Sequence, residues 1–167
     1  VVDDDNFENR LLYKHVKDGD WTKTEKFISE NSVDVLSLAP GSGTILHVAA
    51  MAGHVNIVEG LMSMREREEL VKIKDRRGFT ALSLAAHLTG NTDVAKCILE
   101  NGSEEIRGYL LTTENNDGVI PLLLAADKGH TEMTRYLHKK TPKDMLDKFE
   151  RDSVVSLLEQ CIKAEIF

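Results

Sequence analysis

Four stretches of this chain lie over one another in one register: Leu12 to Gly19, Leu46 to Gly53, Leu82 to Gly90 and Leu122 to Gly129. Each opens on Leu and reaches Gly seven or eight residues later, and the last three carry a pair of alanines at the same offset (Ala49-Ala50, Ala85-Ala86, Ala125-Ala126). A fifth copy starts at Leu158 and runs through Cys161 and Ile162 to Phe167. The leading leucines are 34, 36, 40 and 36 residues apart. Leu36, Leu70 and Leu146 each follow their own leading leucine by 24 residues, and Leu110 follows Leu82 by 28. The third unit is therefore about four residues longer, with one addition at Leu88-Thr89 and the rest after its second helix. A period in this range marks a chain of small units, none of which can bury its apolar face except against a neighbour.

The chemistry of one unit follows from its spacing. Leu46, Ala49 and Ala50 stand at i, i+3 and i+4, one stripe of a helix. The small alanines allow the close helix approach that a stack of thin layers needs. Gly53 follows, suited to the left-handed conformation that ends a helix. Val55, Ile57, Val58, Leu61 and Met62 make a second amphipathic segment, matched by Thr24–Ile28, Val94–Leu99 and Met133–Leu137. A polar linker then ends in a turn signal: Pro40-Gly41-Ser42-Gly43, Asp75-Arg76-Arg77-Gly78 or Asn115-Asn116-Asp117-Gly118. The expected architecture is all-α, with about four and a half stacked helix-turn-helix units joined by hairpin-like turns. It forms a single domain over residues 1–167, with units near 9–43, 44–78, 79–118 and 119–153 and a partial unit at 154–167.

The run Thr44-Ile45-Leu46-His47-Val48-Ala49-Ala50 with Gly53-His54, and Asp75, Gly78, Thr80 and Leu82 across the start of the next unit, resemble the ankyrin repeat. Pro121-Leu122 keeps part of the same motif but lacks its Thr and His. The similarity covers about residues 9–167 and is weakest in the first and last units. Leu12-Tyr13-Lys14, Lys17 to Trp21, the Pro121–Ala126 run and the segment Leu157 to Phe167 also resemble the plant ankyrin family that ends in a PGG membrane domain. The resemblance implies a right-handed stack of helix pairs that binds other proteins on the face formed by the hairpins and first helices. It further implies a cytosolic domain of a parent held at the plasma membrane or an endomembrane through a C-terminal region, with roles in immunity, cell-death control or salt response. The PGG region itself is absent from this sequence.

Composition narrows the remaining classes. Lys and Arg number 21 against 28 Asp and Glu, for a net charge of −7, which argues against nucleic acid or an anionic membrane as the main partner. No apolar run approaches the roughly 18 residues of a membrane helix, so direct insertion by this segment is not expected. Cys97 and Cys161 read as reduced thiols of a cytosolic domain. No His-x-x-x-His, Cys-x-x-Cys, phosphate-binding glycine loop or nucleophile elbow occurs, and neither catalysis nor a cofactor or metal is expected. The mixed-charge run from Arg65 to Glu69 reads as a solvated helix end.

Among the six histidines, His47 stands where the ankyrin motif braces its turn, while His54 and His130 share the position after the helix-ending glycine. Trp21 aligns with Val55 and is expected to pack between helices. What remains is recognition surface. The hairpin tips fall at 39–42, 75–77 and 115–117, and variable first-helix positions face the same side. The candidate partner-binding residues are Arg76, Arg77, Asn116, Met51, His87, Leu88, Asp127 and Lys128. Arg76 and Arg77 are paired guanidinium groups suited to bidentate contacts. Met51 and Leu88 are adaptable apolar anchors. The leading expectation is a non-catalytic protein-interaction module, and the alternative is a structural scaffold for a channel- or transporter-like membrane part. Val1 and Phe167 read as cut ends of a longer chain. The half-unit at the C-terminus is expected to leave Leu157, Leu158, Ile162, Ile166 and Phe167 partly uncovered and open to self-association.

Overall fold

The computed structural model describes residues 4–37 and 43–151. The first hairpin tip, Cys161 and the apolar C-terminal edge lie outside the described residues.

Helices α1 (Asp4–Lys17), α3 (Ile45–Ala52), α6 (Ala81–Leu84) and α9 (Pro121–Asp127) form one row, each packed on the next. Helices α2 (Trp21–Glu30), α4 (Val55–Met62), α7 (Thr92–Glu100) and α10 (Thr131–Lys140) form a second row behind it. The leading leucines Leu12, Leu46, Leu82 and Leu122 and all three alanine pairs are buried between the rows. Each leucine taken out of water contributes about 2 kcal/mol. The alanines add little area but set the spacing of the first row. Gly53 closes α3 at φ +73, and Gly90 closes the third unit's first helix at φ +63. Trp21 begins α2 and lies against Gly60 of α4, where an added Cβ would sit 2.3 Å from the indole Cε2. The expected packing role of Trp21 therefore rests on a glycine in the next unit.

The polar linkers are more ordered than expected. In the second, third and fourth units they contain a third helix: α5 (Arg67–Leu70), α8 (Glu104–Thr112) and α11 (Lys143–Arg151). The leucines of the second register explain it. Leu70 and Leu110 are fully buried and Leu146 packs against the core, so each linker is anchored by one apolar side chain that can reach inward from a helix. The charged run Arg65–Glu69 is the exposed part of this segment, and Leu70 is its anchor. Most of the third unit's added length forms α8, whose Ile106 and Leu110, one turn apart, are both buried.

The other added residue widens a turn. Ala85–Thr89 forms a π-helical turn that continues α6, and the Gly90 amide donates to the Ala85 carbonyl at 2.8 Å, five residues back. The extra residue is absorbed within a single turn, and Ala85 and Ala86 keep their buried places.

Candidate partner-binding groove

The hairpins are built by short polar side chains. Asp75 Oδ1 accepts from the amides of Arg77 and Phe79 at 2.9 and 2.8 Å, and the Asp75 amide donates to the Phe79 carbonyl at 2.8 Å. Asn115 repeats the pattern one unit later, taking the amides of Asp117 and Val119 at 3.0 and 2.9 Å. The two tips are tied together. The Asn116 amide donates to the Arg77 carbonyl, and Asn116 Nδ2 donates to the Arg76 carbonyl, each at 3.0 Å. Asn116 thus sits in an inter-tip clamp. Lys74 Nζ adds a 2.9 Å bond to the Glu114 carbonyl.

Below the clamp a groove of about 540 Å³ opens between the third and fourth units, lined from both hairpins and both first helices. Val119, Leu123 and Leu124 supply its apolar lining. Phe79, Leu84 and Leu124, with Val119 against them, form an apolar cluster separate from the main core. The Arg77 guanidinium lies over the Phe79 ring, 4.9 Å from its centroid, and the His87 ring meets the same phenyl at 5.4 Å. Asp117 stands at the tip, and Asp127, whose Oδ2 is 3.2 Å from Lys128 Nζ, stands at the end of α9.

Of the eight candidate residues, the groove brings together Arg77, His87 and Asp127. Arg76 and Asn116 stand at its upper edge through the clamp, and Lys128 reaches it through Asp127. Met51 and Leu88 do not line it, although they are 43% and 48% exposed. Residues absent from the expected set include Phe79, Val119, Leu123 and Leu124. Their signal was weak, since aliphatic and aromatic residues next to a turn read equally well as ordinary core.

His87 is half-buried, and its Nδ1 has no hydrogen-bond partner. Burial holds its pKa below the ordinary value, Lys128, Arg77 and His130 add to the depression, and Asp127 alone opposes it. His47 behaves differently. Its Nδ1 accepts the Thr44 amide at 3.1 Å, so the proton is on Nε2, which donates to the Phe79 carbonyl at 3.0 Å. Burial is the main reason its pKa is lowered, and a second ring proton would face the Thr44 N–H. The bracing role expected for His47 is met within its own turn by the Thr44 amide and, at 2.9 Å, the Thr44 hydroxyl, and a further bond reaches the following unit.

On the far side, a hollow of about 510 Å³ between α4 and α7 is lined by Glu59, Asp93, Lys96, Glu100 and Cys97. The Cys97 thiol is pushed up to about 11 by burial and by the two glutamates. No group of three or more His, Cys, Asp or Glu among the described residues could hold a metal ion. No helix among them is long and apolar enough to cross a membrane.

A family model described as "Ankyrin repeats (3 copies)" matches residues 12–107. The chain is 29% identical over 133 residues to a Caenorhabditis elegans protein named poly [ADP-ribose] polymerase tankyrase, covering 71% of this chain but 6% of that protein. It is also 25% identical over 116 residues to human protein phosphatase 1 regulatory subunit 27, covering 69% of each. Stacked helix pairs, hairpins bonded tip to tip, a turn-bracing histidine and a family match over more than half the sequence converge: the chain belongs to the ankyrin-repeat family.

Proposed function

We propose that this chain is a non-catalytic recognition module that holds a protein partner at the hairpin tips and the groove beneath them. The observation carrying this reading is an open, largely apolar recess whose rim presents a guanidinium already positioned over an aromatic ring. Such a site offers apolar area for anchoring and an oriented cation for specificity. The ankyrin family is one of protein interaction, and a regulatory subunit among the similar proteins fits a role without chemistry.

A finer reading rests on the resemblance of Leu12–Trp21 and Leu157–Phe167 to the plant PGG family. In it the domain works on the cytosolic face of a membrane, in a signalling, defence or stress-response protein anchored through a C-terminal region. Fractionation of the full-length parent tests that placement, and a parent found wholly in the soluble fraction would remove it.

The recognition reading is tested with immobilised chain and a double variant, Arg76→Glu with Arg77→Glu, exposed to plant cytosolic and membrane extracts. The expected result is a soluble protein retained by the native chain and lost by the variant, with both melting alike by circular dichroism. Recovery of the parent alone, equally by both, would favour the scaffold role and remove the groove as the site.

A further inference from the structure

We propose that the groove takes an extended partner segment carrying a carboxylate beside an aliphatic side chain, the aliphatic group resting on Val119, Leu123 and Leu124 and the carboxylate meeting the Arg77 guanidinium. The inference rests on the recognition reading above and adds the chemistry of the occupant.

The charges of the site argue for this sign. The whole chain is net −7, yet among the described residues neither Arg76 nor Arg77 has a carboxylate within ion-pair distance. The nearby acids are mostly engaged. Asp75 accepts two backbone amides of its own hairpin, and Asp127 is paired with Lys128. Asp117 is left at the tip. Arg77 is the cation that lines the groove, beside Asp117 and Asp127, and at His87 itself Lys128 and Arg77 each act more strongly than Asp127.

The geometry argues for the pairing. Packing over Phe79 holds Arg77 without occupying the edge of its guanidinium with another side chain, so its planar fork is free to take a carboxylate through two parallel bonds. The apolar lining lies in the same groove, and two adjacent side chains of an extended segment meet both. The hollow between α4 and α7 has the opposite character. Glu59, Asp93 and Glu100 with one lysine would repel the same segment, so the back of the stack does not compete for it.

The test uses the 167-residue chain and a phage-displayed library of random 12-residue peptides, panned in parallel on the native chain, Arg77→Glu and Arg77→Gln. Selected peptides are remade with a fluorophore and titrated by anisotropy. The expected consensus has Asp or Glu next to Leu, Ile or Val, and binding weakens roughly tenfold with Arg77→Gln and further with Arg77→Glu. Changing the peptide's acidic residue to Lys restores binding to Arg77→Glu. A consensus rich in Lys or Arg, with binding sensitive to Asp117→Asn, overturns the proposed occupant and leaves the recognition reading standing. Peptides that bind all three proteins alike overturn this site, and failure to select any peptide overturns both readings. Circular dichroism melts of the two variants separate loss of binding from loss of folding.

Discussion

The junction between the second and third units and the junction between the third and fourth are built from the same parts but closed in different places. At the earlier junction His47 reaches across to the Phe79 carbonyl, and Asn91 Nδ2 donates to the Gly53 carbonyl at 3.2 Å. At the later junction Ser83 stands in the place of His47 and turns back to Thr80 Oγ1, at 3.0 Å. His130, the counterpart of Asn91, packs its ring against Gly90, and its Nε2 has no partner. The polar bonds across the later junction are instead made at the tips, by Asn116 and by Lys74 to the Glu114 carbonyl. One junction has a side chain bonded across its buried wall; the other is pinned at its rim. The difference shows two ways of tying neighbouring layers with polar bonds: a buried side chain that crosses between them, or a bond between the tips further out.

The largest effect on this contrast is expected at Phe79, whose ring belongs to the groove while its carbonyl serves the earlier junction. Phe79→Ala should cost about 4 kcal/mol in urea unfolding. It should also release Arg77 from its seat, visible as loss of the peptide binding proposed above. Gly90 comes next. Its φ of +63 penalises any side chain, and an added Cβ would meet His130 Cγ at 2.5 Å, whereas at Gly53 the nearest atom is Asn91 Nδ2 at 3.3 Å. Gly90→Ala is expected to cost about 3 kcal/mol and Gly53→Ala about half that, compared by thermal melts. Equal losses would mean that the two turns are packed alike.

His47→Ser rebuilds the earlier junction in the manner of the later one and should cost about 2 kcal/mol, by removing a buried ring that bonds both the Thr44 amide and the Phe79 carbonyl, which keeps the Asp75 amide as a donor. It should also change the response to acid. His47 has a lowered pKa in the fold, so its contribution is complete above its ordinary value of 6.5 and is lost as pH falls below that value toward the folded pKa. Native stability should therefore decline on going from pH 7.5 to pH 5, and His47→Ser should decline less; parallel profiles would assign the acid sensitivity elsewhere. The smallest effect is expected at the rim. Asn116→Ala removes one exposed bond and keeps the amide bond to Arg77, a loss of about 0.5 kcal/mol. Faster hydrogen exchange at that amide is its clearest sign.

The fold was readable from residues of fixed type and spacing. The leading leucines, the alanine pairs and the glycines after them answer to helix geometry, and helix geometry does not depend on partners far along the chain. Trp21 and the added residue near Leu88 were placed correctly on the same grounds. The third helices were half-visible: Leu36, Leu70, Leu110 and Leu146 marked an apolar contact in every linker, but the charges around them, as in Arg65–Glu69, masked the helix. The groove was least legible. Arg77, His87 and Asp127 were named from their positions in the unit, whereas Phe79 and Leu124 meet in a cluster with Leu84 and Val119 that joins two units. That depends on a relation between units, which a pattern within one unit does not contain.

The wide turn at Ala85–Thr89 has a consequence for how such a chain keeps count. An added residue in a stacked fold ordinarily shifts the phase of everything after it. Here the chain takes the residue up as slack in one loop of backbone, and Ala125 and Ala126 of the next layer remain as deeply buried as Ala49 and Ala50 of the layer before, or nearly so. Distance along the chain and distance along the stack are therefore decoupled at this point. Leu88 is added to the surface while the pitch of the layers is conserved, so this turn is where the chain can acquire new surface chemistry without retuning its interior.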